Sequence, residues 1–248
     1  PLIGGFIADA FGFRAAFTLT AALLLLSGVV VYFGLPSHQP ALPSAGARKG
    51  GLAGWRAIVG APGVALVYSL RFANSLCSNM LLPVLPLFIQ SLLVQSERVN
   101  SFTGLLFGVS SAATTASAIY LGRLGDRSGH RRVLVASLLL AGLCYFPQAL
   151  VSAGWQLLAL QFVVGIAVGG TIPALGALLA RYTPPGAEGA VYGLDNSIAA
   201  GARALAPLLG AAVAELLGLR SIFLLTGTLL LGTSLLAAAR LPREPVAS

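Results

Sequence analysis

Charged side chains are scarce in this sequence, and three of them, Arg71, Asp195 and Arg203, interrupt stretches that are otherwise apolar. A charge near the middle of a bilayer costs at least ~2.5 to 3.5 kcal/mol, so each needs a counter-charge, a polar cavity or water. Neutral hydrogen-bonding groups accompany them at helical spacing. Arg71, Asn74, Ser75 and Ser78 fall at i, i+3, i+4 and i+7, one polar stripe leading up to Pro83 and Pro86. Asn196, Ala200 and Arg203 share another helical face, and Gln161 is a lone amide in a further apolar run. Arg71, Asn74, Ser78, Gln161, Asp195, Asn196 and Arg203 are therefore the candidates for lining a small-molecule cavity. Two structural readings compete with this one. Arg71 lies about 10 Å from the start of its span and can snorkel outward, and Gln161 can serve a neighbouring helix instead.

The chemistry that is missing narrows the field. No nucleophile–base pairing, phosphate-binding loop or metal-ligand spacing can be found, so an enzyme is not expected, nor any cofactor or metal. Cys77 and Cys144 are each isolated in apolar segments and read as small core residues. Asp195 is the only acid away from the loops, and so the only candidate here for carrying a proton within a span.

The elements that must position these groups are membrane spans. Of 248 residues, 57% are hydrophobic and 9% charged, with a mean hydropathy of +0.89, far more apolar than a soluble core of this size requires. Roughly 20 apolar helical residues cross a bilayer, and stretches of that order lie at about 15–34, 62–91, 102–121, 133–152, 156–180, 190–214 and 221–239. The net charge of +8 sits in short clusters between the spans rather than along one amphipathic face, which argues against nucleic acid as a partner. Arg48, Lys49, Arg56, Arg123, Arg127, Arg131, Arg132, Arg181, Arg240 and Arg243 fall on one set of alternate connections, and only Arg14, Arg98 and Arg220 on the other. The positive-inside rule then puts the connection after the first full span, and the C-terminus, in the cytoplasm of a multi-pass inner-membrane protein. That connection is long and rich in Pro, Ala, Gly and Ser, and it reads as a linker over 36–60 between two membrane units.

The chain opens on PLIGGFIADAFGFRAAF and repeats the phrase as PLLGAAVAELLGLRSIF from Pro207. Pro1/Pro207, Gly4/Gly210, Gly12/Gly218, Arg14/Arg220, Phe17/Phe223 and Thr20/Thr226 coincide, and Asp9 answers Glu215. Six spans separate the copies, so both corners face the same side, as in a parallel tandem repeat of six. The expectation is a chain that starts inside the fifth span of the first half, with four further spans upstream. Gly189, Gly193, Ser197 and Gly201, with Gly104, Gly108 and Ala112 on another span, are expected to form a packing seam of small residues. Gly165, Gly169, Gly170 and Pro173 weaken their helix and permit a bend.

The most specific stretch is LGRLGDRSGHRRVL, Leu121 to Leu134. Its Gly122, Leu124, Asp126, Arg127, Gly129, Arg131 and Arg132 are spaced so that the glycines can turn two helix ends sharply while Asp126 accepts hydrogen bonds from helix amides or arginines. This spacing resembles the signature loop of the major facilitator superfamily, with His130 standing where the family usually has Arg or Lys. Pro1, Gly4 and Gly5 resemble the end of that superfamily's fifth-helix motif in proton-coupled exporters, and Gly189 to Ala211 looks like the eleventh helix of bacterial multidrug exporters.

The resemblance implies an all-α membrane protein: the C-terminal six-helix bundle of the superfamily's fold plus the last one to two helices of the N-terminal bundle. It divides the chain into the end of the N-terminal bundle (1–35), a cytoplasmic linker (36–60) and the C-terminal bundle with helices seven to twelve (61–248). It further implies proton-driven efflux of small hydrophobic compounds by alternating access, the signature loop holding the halves together in one access state. The coupling acids are expected in the first half, and the intact protein is expected to be a monomer in the lipid bilayer. A transporter of a sugar or other polar metabolite, and a non-transporting membrane receptor or scaffold, are the alternatives.

Overall fold

A computed structural model describes residues 2–34, 63–92, 99–183 and 186–242, with side chains from Phe6 onward. The linker expected over 36–60 and Pro1 of the fifth-helix motif lie outside these residues; Gly4 and Gly5 fall within the first helix. The described residues form ten helices in order: α1 Leu2–Phe11, α2 Phe13–Gly34, α3 Val64–Met80, α4 Val84–Leu92, α5 Val99–Ser128, α6 His130–Gln148, α7 Gly154–Val168, α8 Thr171–Tyr182, α9 Glu188–Leu217 and α10 Ser221–Arg240. No strand occurs among the described residues.

Two spans are each made of two helices. Between α3 and α4 the chain turns at Leu81 to Pro83, where proline has no amide hydrogen to give and its ring disfavours helix in the residue before it. Between α7 and α8 it turns at Gly169 and Gly170, the bend the glycines anticipate. Among the described residues six helical spans are long and apolar enough to cross a membrane: α2, α3–α4, α5, α7–α8, α9 and α10. The seventh expected span is α6, 19 residues long, whose first turn carries Arg131 and Arg132.

The core lies where α3, α4, α6, α7, α8 and α10 converge, around Leu70, Met80, Leu85, Phe88, Leu134, Leu138 and Phe223. Phe88 and Phe223 meet edge to face with ring centroids 4.9 Å apart. In lipid there is little hydrophobic gain from joining helices, so close backbone approach matters more. A Cβ on Gly210 of α9 would stand 2.2 Å from the Met80 carbonyl oxygen of α3, and one on Gly165 of α7 would stand 2.5 Å from the Ser110 carbonyl oxygen of α5. Gly142 of α6 and Gly227 of α10 are likewise appressed, each Cβ position about 3 Å from the other's carbonyl oxygen.

These contacts replace the seam expected between Gly189, Gly193, Ser197 and Gly201 and the Gly104 series. Nothing lies within 4 Å of a Cβ built on Gly189, Gly193 or Gly201, because that stripe of α9 faces away from this bundle. Helical spacing shows which residues share a face; it does not show what the face meets.

The two copies of the repeated phrase adopt the same corner. Gly12 and Gly218 take φ of 82° and 90°, values that an L side chain rarely tolerates. In each copy the amide three residues on returns to the glycine carbonyl at 3.2 Å, Ala15 to Gly12 and Ser221 to Gly218. Their surroundings differ: Phe223 is fully buried, whereas Phe17 is 74% exposed, and no residue of α2 is buried.

Replacing Gly210 by Ala is expected to lower stability by about 1–3 kcal/mol, since the Met80 carbonyl is backbone and cannot swing aside. Gly176→Ala, on an exposed face of α8 with open space around it, should stay within about 0.5 kcal/mol. Thermal unfolding of the detergent-solubilised protein compares the two.

Candidate functional site

Helices α3 and α9 run parallel, and their side chains meet in sequence order. Tyr68 donates from its hydroxyl to the Val191 carbonyl oxygen at 3.0 Å, and one turn further along Arg71 Nε stands 3.4 Å from Asp195 Oδ2. Each of the paired charges lies seven residues into its helix, about 10 Å along the axis. Their side chains retain 21% and 15% exposure, so the pair is largely withdrawn from solvent yet open at one edge. Arg71 Nε has no well-aligned hydrogen bond, which makes the interaction chiefly coulombic. Arg71 thus turns toward Asp195 across the helix pair, rather than outward along its own helix.

The other cavity candidates distribute around this crossing. Asn74 and Ser75 are buried at 6% and 8% exposure, continuing the Arg71 stripe into the packed side of α3. Ser78, Asn196 and Arg203 are exposed on the two helices. Gln161 is not with them. It is buried on α7 and donates from Nε2 to Gln148 Oε1 at 3.4 Å, an amide pair between α7 and the end of α6. Gln148, at 0% exposure, and Tyr68 are polar groups outside the candidate set, although Tyr68 lies three residues before Arg71 on the same stripe.

The arginine-rich corner is more helical than its motif suggests. The helix α5 continues through Ser128, so Gly122, Leu124, Asp126 and Arg127 lie on helix and the turn falls on Gly129 alone, at φ 96°. Gly122 therefore is not a turning residue; a Cβ there would sit 3.8 Å from Pro173 of α8, in ordinary contact. Asp126 is 73% exposed and faces His130 Nε2 at 3.5 Å, one helical turn on across the corner, rather than an arginine or a helix amide. Arg131 donates from Nη2 to the Ala238 carbonyl oxygen in the last turn of α10, where unpaired carbonyls favour a cation. Arg127 and Arg132 are exposed.

Contacts sort the helix ends into two faces. Gly129, Arg131, Tyr182 and Arg240 gather on one, since Gly63 lies against Tyr182 and Arg131 against the end of α10. Phe102, Val151, Gly154 and Arg220 gather on the other, where Arg220 Nη2 reaches the Val151 carbonyl oxygen at 3.3 Å and Phe102 packs on Gly154. Among the described residues no cluster of His, Cys, Asp or Glu is placed to hold a metal ion.

A helical multi-pass membrane protein with parallel repeat corners, an intramembrane ion pair and a basic turn between two spans has the features of a secondary-transporter half. Residues 67–248 match the family model described as Major Facilitator Superfamily, and the chain belongs to that superfamily. Membership places it among transport proteins rather than enzymes. The chain is also 32% identical over 235 residues to "Multidrug resistance protein MdtG" of Dickeya zeae, covering 93% of this chain and 56% of that protein. The protein of the same name from Enterobacter lignolyticus is 31% identical over 236 residues (93% and 55%), and that from Yersinia enterocolitica 30% over 250 residues (99% and 59%). The chain therefore spans somewhat more than half the length of these relatives.

Neutralising one partner of the α3–α9 pair strands the other. Because both side chains keep some solvent contact, Arg71→Gln or Asp195→Asn should each cost about 2–3 kcal/mol, below the value for a fully buried pair. The double variant should cost less than the sum of the two, a coupling of about 1–2 kcal/mol read from a thermal double-mutant cycle. At the basic corner, Arg131→Ala should cost about 1–2 kcal/mol by uncapping α10, while Arg132→Ala stays near zero; the same melting curves report both.

Proposed function

We propose that this chain is the second half, together with the end of the first, of a proton-coupled exporter of small hydrophobic compounds that works by alternating access. In this reading it lies in a bacterial inner membrane, with the basic corner at Gly129, the 36–60 linker and the C-terminus in the cytoplasm. The observation that carries the reading is the similarity to bacterial multidrug resistance proteins along 93% or more of the chain. The polar inventory supports it. Of the two charges at the α3–α9 crossing, each cancels the other, which leaves a wall on which Ser78, Asn196 and Arg203 are the exposed polar groups among the candidates. Such a surface suits apolar cargo with few polar anchors.

A polar metabolite would be held differently, by hydrogen bonds to Asn196 and by the guanidinium of Arg203. Both readings use the same energy source. One proton moving down 100 mV releases ~2.3 kcal/mol, enough for a gradient of more than tenfold. In inverted vesicles carrying the intact transporter, an imposed proton gradient, acid inside, should drive accumulation of a lipophilic dye, and a protonophore should abolish it. Dye movement that ignores the gradient would overturn proton coupling. Competition by a sugar but not by hydrophobic compounds would transfer the assignment to the polar-metabolite reading.

A further inference from the structure

On the face opposite the basic corner, the carboxylate of Asp9 accepts the backbone amide hydrogen of Ser101 at 2.5 Å. Asp9 stands two residues from the end of α1, and Ser101 is the third residue of α5, whose first amides have no partner within the helix. An anion at this point also meets the positive end of the helix dipole. The contact joins the segment that precedes the linker to the bundle that follows it, and α1 packs along α5.

The repeated phrase carries this arrangement to a second place. Asp9 corresponds to Glu215, and the two corners that follow share the positive-φ glycine and the same 3.2 Å hydrogen bond. Glu215 stands two residues from the end of α9, is exposed, and makes no hydrogen bond or ion pair with any described residue. The stretch of α9 equivalent to α1, residues 208–217, leaves Leu208, Leu216 and Leu217 exposed.

We propose that Asp9 and Glu215 are equivalent carboxylate latches, each closing the face opposite the basic corner by accepting first-turn amides of a helix from the other half of the transporter. For Asp9 that helix is α5. For Glu215 it is the helix of the first half that occupies the place of α5 under the six-span repeat, the second of that half. The inference rests on the two-half, alternating-access reading above. When this face opens, each carboxylate must leave its helix end, so the latches bias the transporter toward the state closed here. An N-terminal cap of this kind shifts such an equilibrium roughly two- to tenfold.

The test uses the intact transporter in right-side-out vesicles, with Ser78→Cys as a reporter on the exposed side of α3. A membrane-impermeant maleimide is added from the Asp9 face, and the labelling rate is corrected for the parent without the added cysteine. Asp9→Asn and Glu215→Gln should each raise the rate about two- to tenfold, the double variant more than either, and Asp9→Glu should stay near the parent. Ser101→Pro removes the donated hydrogen at a position in the first helical turn that tolerates proline, and should reproduce Asp9→Asn even where that variant is poorly inserted. An unchanged rate in both Asp9→Asn and Ser101→Pro overturns the Asp9 latch. A rise there with none in Glu215→Gln overturns the equivalence of the two. Failure of the alternating-access reading registers separately, as parent labelling that neither substrate nor an imposed gradient alters.

Discussion

A guanidinium cannot shed its proton within a membrane, so the position of Arg71 is tenable only because Asp195 meets it at 3.4 Å. The two charges lie on different helices, and the pair therefore fixes how α3 and α9 stand relative to each other. Tyr68 on Val191 and Met80 on Gly210 hold the same two helices on either side of it. Sliding α9 by one turn would separate the charges by about 5 Å and move the glycine away from the Met80 carbonyl. An ionic contact and a steric one thus specify a single register, and the remaining helices pack around this parallel pair: α10 and α8 against α3, and α4 against α9.

The spans were legible because length and apolarity are local properties that one sequence displays directly. So was the break at Gly169 and Gly170, where a Cβ on Gly169 would stand 2.7 Å from the Thr114 carbonyl oxygen and one on Gly170 2.5 Å from Ser137 Oγ. The membership of Arg71, Asn74 and Ser75 on one stripe followed from helical spacing. The partner of Arg71 did not, since it lies on a helix far along the chain and periodicity carries no information between helices. Gln161 illustrates the same limit. Its amide satisfies Gln148 inside the bundle, and only the packing of α6 on α7 brings the two together. At the basic corner the motif located the turn but not the helix ends. Residues 121–128 stay helical because their amides still find carbonyls one turn back, as Ser128 Oγ also does at the Leu124 carbonyl.

The repeated phrase separates what a segment dictates locally from what its setting adds. Both copies turn at a glycine with φ near 85°, and both close the following helix with the same hydrogen bond, because chain geometry at the corner depends on the residues within it. Burial depends on neighbours instead. Phe223 is packed against Phe88, whereas Phe17, the same residue in the same corner, is largely exposed. Conserved corner geometry with divergent burial is what two structurally equivalent positions show when one is surrounded by its bundle and the other is not.

Arg203 carries the last consequence of the charge inventory. It is exposed on α9, eight residues beyond Asp195, or about 12 Å along the helix, too far to share that carboxylate. The chain holds seven acidic residues, and Asp195 is the only one of them set deep within an apolar span. Asp9, Asp126, Glu188 and Glu215 sit at helix ends, and Glu97 and Glu244 lie outside the described residues. Arg203 must then be balanced by water, by cargo, or by an acid on a facing helix. An acid opposite it gives a neutral wall that favours apolar compounds; water alone leaves a wall that attracts anions and repels lipophilic cations. In the proposed exporter the field felt by cargo would therefore be set at Arg203, since the charge of Arg71 is already cancelled inside the α3–α9 crossing.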